Sequence, residues 1–308
     1  MTLRRNRIDE SQPYQRYDAV AEASAALVIR SYSSSFGLAS RLLSAPVRHD
    51  VCNIYALVRV ADEIVDAPRP GQEIDQRREA LDQLAEQTHE AMSTGSSTNL
   101  VVHAFAGTAR RVGIDSSLTA PFFASMRTDL DCSIHDDASL ATYIYGSAEV
   151  VGLMCLRAFL ADEDQPEKRY AAMTDGARRL GAAFQKVNFL RDFGVDNGDL
   201  GRRYLTGLDP TNPSPARWNW WLDNVDADLA AAAAIIGDLP MSSRVAVCVA
   251  HDLFAALSDR LRSVAAADAA GRRVRVSTPA KAAIAAAAVA RRGRPRLRSS
   301  VVAGERVA

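Results

Sequence analysis

This sequence lacks paired cysteines, net charge and long apolar runs. The four cysteines, Cys52, Cys132, Cys155 and Cys248, stand far apart and form no Cys-x-x-Cys pair, so a zinc site is not expected. Cys52, Cys155 and Cys248 lie in apolar stretches and read as small core residues. Lys+Arg and Asp+Glu each total 37 in 308 residues, a formal net charge of zero, and nothing points to nucleic acid as a partner. No unbroken run of about 18 apolar residues exists, so no transmembrane helix is predicted. The basic start Met1-Thr-Leu-Arg-Arg-Asn-Arg7 has no apolar stretch behind it, so no signal peptide is expected. A soluble, reduced, cytoplasmic protein is the resulting expectation. Aromatics are scarce at 6%, while hydrophobic residues reach 48% and alanine abounds. Alanine is the best helix former, so that balance favours helices.

No segment alternates convincingly at period two, and no internal repeat is clear. The pattern predicts one all-α domain over residues 19–292, a disordered N-terminus over 1–18 and a disordered basic tail over 293–308. Helical periodicity runs over 19–31, 44–66, 73–92, 100–112, 116–131, 139–160, 167–196, 217–236, 241–266 and 278–292. Ser139 is the expected cap of the sixth. The serine-rich stretch Ser31–Phe36 reads as a break, because hydroxyls compete for backbone groups. Residues 197–203, with two glycines and mixed charge, read as a mobile loop.

Two helices carry the chemistry. Asp62 and Asp66 are four apart and share a face with Arg59 and Tyr55. The rest of that helix (Ile54, Ala56, Leu57, Val58, Val60, Ala61, Ile64, Val65) is apolar. Asp192 and Asp196 repeat the spacing, sharing a face with Asn188 and Gln185 and beside Arg191, among Leu180, Ala182, Ala183, Phe184, Val187, Phe189 and Leu190. One acid pair in a chain with 37 acidic residues is commonplace on a solvated face. Two polar stripes on two otherwise apolar helices belong inside the protein, where charge is costly unless paired or bound to metal. Their natural arrangement is to face each other across a polar cavity. Magnesium takes oxygen ligands and leaves positions for water and phosphate, which suits a diphosphate leaving an allylic carbon. The carbocation left behind needs a dry apolar cavity, which a helical bundle supplies.

The motifs resemble those of the phytoene and squalene synthase family of head-to-head prenyl synthases. Tyr55-Ala-Leu-Val-Arg59-Val-Ala-Asp62-Glu-Ile-Val-Asp66 is similar to its first aspartate-rich motif. Gln185-Lys-Val-Asn188-Phe-Leu-Arg191-Asp192-Phe-Gly-Val-Asp196 is similar to its second. Ser33-Ser-Ser35-Phe36, the tyrosine-rich Tyr143-Ile-Tyr145-Gly-Ser-Ala-Glu-Val-Val-Gly152 and Arg202-Arg-Tyr204 follow the family pattern in order over roughly residues 25–290. Two phrases, Ala61–Asp66 and Gly146–Leu153, resemble most its bacterial, particularly actinobacterial, members.

The resemblance implies an isoprenoid synthase helical bundle with a central cavity. It implies that two geranylgeranyl diphosphates join as prephytoene diphosphate, which rearranges to phytoene for carotenoid biosynthesis. It assigns magnesium, with manganese as the alternative ion, to Asp62, Asp66, Asn188, Asp192 and Asp196. Ser33, Ser35, Tyr55, Arg59, Gln185 and Arg191 would bind diphosphate, and Tyr143 and Tyr204 would line the cavity. No NADPH is expected. Two departures stand out: Phe254 replaces a tyrosine, losing a hydroxyl, and Glu149 replaces a small residue, with an arginine as its expected partner. Gly37, Ala39 and Ser40 are small enough to leave room for a C20 tail. The five histidines, His49, His89, His103, His135 and His251, have no ligand spacing and read as surface or core polar groups. Squalene or dehydrosqualene formation from farnesyl diphosphate stays open as the rival, and a non-catalytic scaffold on the same fold as the remote one. The lipid-like substrate and product imply a peripheral contact with the inner face of the membrane.

Overall fold

The first helix, α1 (Tyr14–Tyr32), starts five residues before its apolar pattern predicts. Tertiary contacts explain the difference. The Tyr17 hydroxyl donates to the Ser97 carbonyl at 2.8 Å, its ring meets His103 edge-on at 4.8 Å, and His103 Nε2 lies 2.9 Å from Asp18 Oδ1. The computed structural model describes residues 14–33, 35–132, 134–198, 202–271 and 274–296. Most of both expected disordered ends, 1–13 and 297–308, lies outside them.

The break at the serines is real: α1 ends at Tyr32 and a short α2 (Ser35–Ser40) follows. Then come α3 (Ala45–Asp66), α4 (Ile74–Thr94), α5 (Leu100–Val112), α6 (Ser116–Asp131) and α7 (Asp137–Ile144). A π-helical turn, Tyr145–Glu149, leads into α8 (Val150–Leu160). The chain continues through α9 (Pro166–Gly198), α10 (Pro215–Ile236), α11 (Met241–Arg262), α12 (Ala266–Gly271) and α13 (Thr278–Ala290). The predicted bounds of α5 and α6 coincide with the observed ones because each has a side-chain cap. Asn99 accepts from the amides of Val101 and Val102, and Asp115 from that of Ser117; such caps are worth about 1 kcal/mol each. At α7 the cap is Asp136 rather than Ser139. Ser139 is the third helical residue and closes a reciprocal capping box with it. α11 ends at Arg262, four residues short of expectation, and α12 is additional.

Two large apolar clusters, with two small ones beside them, fill the bundle among the described residues. One gathers Leu57, Leu81, Phe105, Phe122, Met154 and Leu156 from α3–α6 and α8. The other gathers Val187, Leu190, Phe193, Trp218, Trp221 and Leu222 from α9 and α10. Burying each such side chain stabilises by roughly 1.5–3 kcal/mol. Leu180 and Phe184 on α9 touch both clusters. At the seam, the π turn and α8 approach α9 closely through Gly152 and Gly181. A Cβ on Gly181 would stand 2.5 Å from the Ala148 carbonyl oxygen, and one on Gly152 2.7 Å from that of Ala177. Asp228 of α10, 2% exposed, fixes the other side of α9 by accepting from Arg179 at 2.9 Å and Lys186 at 2.7 Å.

No strictly apolar run is long enough to cross a membrane, yet the helical stretch Asp137–Leu160 is long and apolar enough by composition. It threads the middle of the bundle, half buried within it. Among the described residues the only extended pairing is an isolated bridge between Ile134 and Arg203.

Candidate active site

α3 buries Ile54, Ala56, Leu57, Ala61 and Val65 and turns Tyr55, Arg59 and Asp62 toward a half-open face. This corrects the expectation of burial. A third of the Asp62 side chain remains accessible, and Asp66 at the helix end is exposed. The pair lines an opening. Burial still pushes the Asp62 carboxyl up to about 8, helped by repulsion from Asp66 and opposed by Arg59. Arg59 lies 4.0 Å from Asp62 Oδ2, pairs with Glu63 and sits over the Tyr32 ring, 4.5 Å from its centroid. Its Nε is buried with no partner. Glu63 was not singled out in the sequence; its i,i+4 spacing from Arg59 was the available signal.

Tyr55 is hydrogen-bonded to Ser33, and burial raises its phenol's pKa. Ser33 Oγ also accepts from the Phe36 amide at 3.1 Å, so it caps α2. The side chains of Ser35 and Asp196 lie outside the described residues. On α9, Gln185, Asn188, Arg191 and Asp192 are all half-buried. Arg191 Nε donates to Asp192 Oδ1 at 3.1 Å. Neither Gln185 nor Asn188 makes a side-chain hydrogen bond among the described residues.

The centre of the site is a residue that sequence reading passed over. Asp129 of α6 is 9% exposed and accepts from two tyrosines, Tyr143 at Oδ2 and Tyr204 at Oδ1, both at 2.7 Å. It follows Phe122, Ser125 and Met126 on the buried face of α6, and an aspartate on an apolar face was the overlooked signal. The Tyr204 ring stacks on Phe189 at 4.3 Å and on His135 at 5.5 Å. Asp192 stands one turn beyond Phe189, on the neighbouring face of α9. His135 also belongs to this cluster: it is 6% exposed, neither ring nitrogen has a partner, and burial lowers its pKa.

Arg202, four residues beyond the end of α9, reaches the end of α3. It is 8% exposed, donates to Asp66 Oδ1 at 2.6 Å and, with Arg77, to the Val65 carbonyl at 3.1 Å. Burial works against its charge, but Tyr204, Asp129 and Asp66 outweigh that and raise its pKa. It is no solvated loop charge. Arg203 beside it is exposed, its carbonyl bonded to the His135 amide at 3.2 Å. Farther in, Phe254 stacks on Phe184 at 3.9 Å and tilts against Phe36 at 5.7 Å, forming an aromatic wall. Glu149 has its arginine: Arg178 Nε donates to it at 2.7 Å.

Among the described residues no group of three or more His, Cys, Asp or Glu could hold a metal alone. The chemistry of the set nonetheless fits a hard cation. Its donors are carboxylates and an amide oxygen, and a cation beside Asp62 would offset the burial and the Asp66 repulsion that raise its carboxyl.

The comparisons with known proteins follow this geometry. Residues 29–207, more than half of the chain, match the squalene/phytoene synthase family model, and the chain belongs to that family. It is 29% identical over 252 residues to the 15-cis-phytoene synthase of a Paracoccus species, covering 75% of this chain and 78% of that one. It is 28% identical to the presqualene diphosphate synthase of Rhodopseudomonas palustris, over 65% of this chain and 70% of that one. The bifunctional lycopene cyclase/phytoene synthase of Blakeslea trispora is 30% identical over 58% of this chain, which spans only 31% of that relative. The crystal structure of a dehydrosqualene synthase in complex with ligand superposes with a TM-score of 0.77 at 22% identity, covering 91% of this chain and 99% of that one. The fold is that of the isoprenoid synthases, and the family's chemistry is head-to-head prenyl transfer.

The Asp129 cluster makes its own prediction. Burial pushes the Asp129 carboxyl up to about 6, against the lowering pull of Arg202 and the two tyrosine hydroxyls. Between 3.8 and about 6 the folded protein therefore holds a proton that the unfolded chain releases. That contribution to stability is full below 3.8 and is lost as pH rises through about 6. Melting temperatures followed from about pH 4 to about pH 7 should fall more steeply for the native chain than for Asp129→Asn. Parallel curves would dismiss the assignment.

Proposed function

We propose that this protein is a phytoene synthase. It condenses two geranylgeranyl diphosphates head to head through prephytoene diphosphate, and each of the two steps releases one diphosphate and one proton. The observation that carries the reading is that Arg202, four residues beyond the end of α9, donates to Asp66 at the end of α3, beside the Asp129 carboxylate that Tyr143 and Tyr204 share. Through Ser33, which bonds to both Tyr55 and the Phe36 amide, this acid face adjoins a wall of aromatic side chains.

Asp62, Asp66, Asn188, Asp192 and Asp196 would hold magnesium, or manganese in its place, which supplies Lewis-acid neutralisation of a departing diphosphate. Arg59, with its unpartnered Nε, and Arg191 would bind phosphate oxygens as charge-assisted donors, with Ser33, Ser35, Tyr55 and Gln185 orienting the same groups. Tyr143 and Tyr204, fixed by Asp129, would line the cavity. Phe36, Phe184 and Phe254 would exclude water from it. Ala39 and Ser40 of α2 are buried beside that wall, and their small size favours the longer C20 tail. The substrate and product partition into lipid, which supports a peripheral contact at the cytoplasmic face of a membrane.

The test is direct. Purified protein with magnesium is given geranylgeranyl or farnesyl diphosphate, with and without NADPH, and the hydrocarbon is identified by mass spectrometry. A C40 triene-centred product from geranylgeranyl diphosphate, without any need for NADPH, is expected. A C30 product alone would reassign the enzyme to the farnesyl branch, and no product would reject the reading.

A further inference from the structure

Away from the aspartates, unpartnered positive charge concentrates where the end of α13 meets the start of α11. Met241, Arg244, Ala290, Arg291, Arg292 and Arg294 line an open pocket of about 800 Å³. Among the described residues no acidic side chain lines it.

The backbone builds this concavity. α13 ends in a reversal with Arg292 at φ 53° and Gly293 at φ 73°. A Cβ on Gly293 would stand 2.7 Å from Arg244 Cγ and 3.0 Å from the Val245 amide nitrogen. Only a glycine lets this turn lie on the first turn of α11 and bring the arginines together. Beneath it, Asp252 is 7% exposed and anchors the turn. It accepts from the Arg291 guanidinium and, at 3.4 Å, from the Arg296 amide, with His251 Nδ1 2.9 Å away. Arg291 Nε donates to the Arg294 carbonyl at 2.9 Å, and Arg244 Nε to that of Leu239 at 2.8 Å. Both guanidinium groups are thereby held in place.

Arg292 and Arg294 are different. Both are exposed, and neither side chain has an acidic partner among the described residues. Among the described residues four lining arginines thus stand against one carboxylate, and that carboxylate is engaged by Arg291. The N-terminus of the 22-residue α11 adds the positive end of its dipole. So much like charge around one concavity opposes folding unless an anion offsets it. The planar guanidinium fork matches phosphate oxygens in particular.

The geometry points to a second anion site here, which takes a phosphate-bearing ligand: a soluble diphosphate or the phosphate headgroup of an anionic lipid. It is separate from the aspartate site. The Ser44 amide, just before α3, bonds to the Ser242 carbonyl. The 22 residues of α3 then carry the chain to Asp66, about 33 Å at 1.5 Å per residue. The assignment stands whatever prenyl chain the enzyme uses.

The full-length protein is titrated calorimetrically with inorganic diphosphate in EDTA, where no metal can bridge the aspartates. It is also sedimented with phosphatidylcholine vesicles with and without phosphatidic acid. The native chain should bind in at least one arm, and the arm identifies the source of the phosphate. R292S/R294S should bind about tenfold more weakly or worse, with a melting temperature no lower than that of the native chain, since neither side chain supports the fold and their charges repel. D62N should bind like the native chain. The site is refuted if the native chain binds in neither arm, if the double variant binds as tightly as the native chain, or if D62N loses binding to the same extent.

Discussion

Asp62→Ala and Asp192→Ala should each cut turnover by a factor on the order of 10^3 or more, the scale on which preorganised charge stabilisation acts, while the helical circular-dichroism signal is retained. The two aspartates come from different helices, yet in the proposed function each would serve a leaving group that cannot depart without neutralisation. The fold has little to lose with Asp62, because its carboxyl is held up to about 8 chiefly by burial. An alanine there removes a group whose charged form opposes the empty protein. Stability and activity should therefore separate, with melting at neutral pH no lower than in the native chain. Retained activity in either variant would remove that aspartate from the metal site. A collapse of helical signal would mean that the aspartate holds the bundle together instead.

Gly181→Ala should destabilise the protein by about 2 kcal/mol, within the usual cost of overpacking, and lower its melting temperature by about 5 °C. Helix propensity predicts the reverse, since alanine in a helix interior is favoured over glycine by about 1 kcal/mol. The added Cβ at Gly181 would meet backbone, the Ala148 carbonyl at 2.5 Å and the Glu149 Cα at 3.1 Å, none of which can rotate away. Gly107, exposed in the middle of α5 with open space around its Cβ direction, is the control. There the same substitution should stabilise. The clash matters to the site because it lies where the π turn passes α9. This turn directly follows α7, which carries Tyr143, and the Tyr143 carbonyl accepts from Ser125 Oγ at 3.1 Å. Equal responses at both glycines would show that the two elements do not approach as closely as described.

The sequence by itself determined the helices and the two polar stripes. Spacing of three and four is a local property of the chain, as are the caps at Asn99 and Asp115, so α3, α5, α6 and α9 were legible within a residue or two. The motif order likewise sufficed for the family. Only the tertiary structure decided which charges belong together. Asp129 looked like one more aspartate in α6 until Tyr143 and Tyr204, 14 and 75 residues away in sequence, closed on it. Arg202 looked like a loop cation until it reached Asp66 across 136 positions. His135 read equally as a surface or a core polar group until two tyrosine rings packed against it and placed it in the core. The expected burial of Asp62 and Asp66 was half right, because periodicity fixes which face a residue occupies and not whether that face meets a neighbour or an opening. Local pattern is set by bonds along the chain. The partners of a charge are set by which distant segments the two apolar clusters press together, and no spacing in the sequence records that.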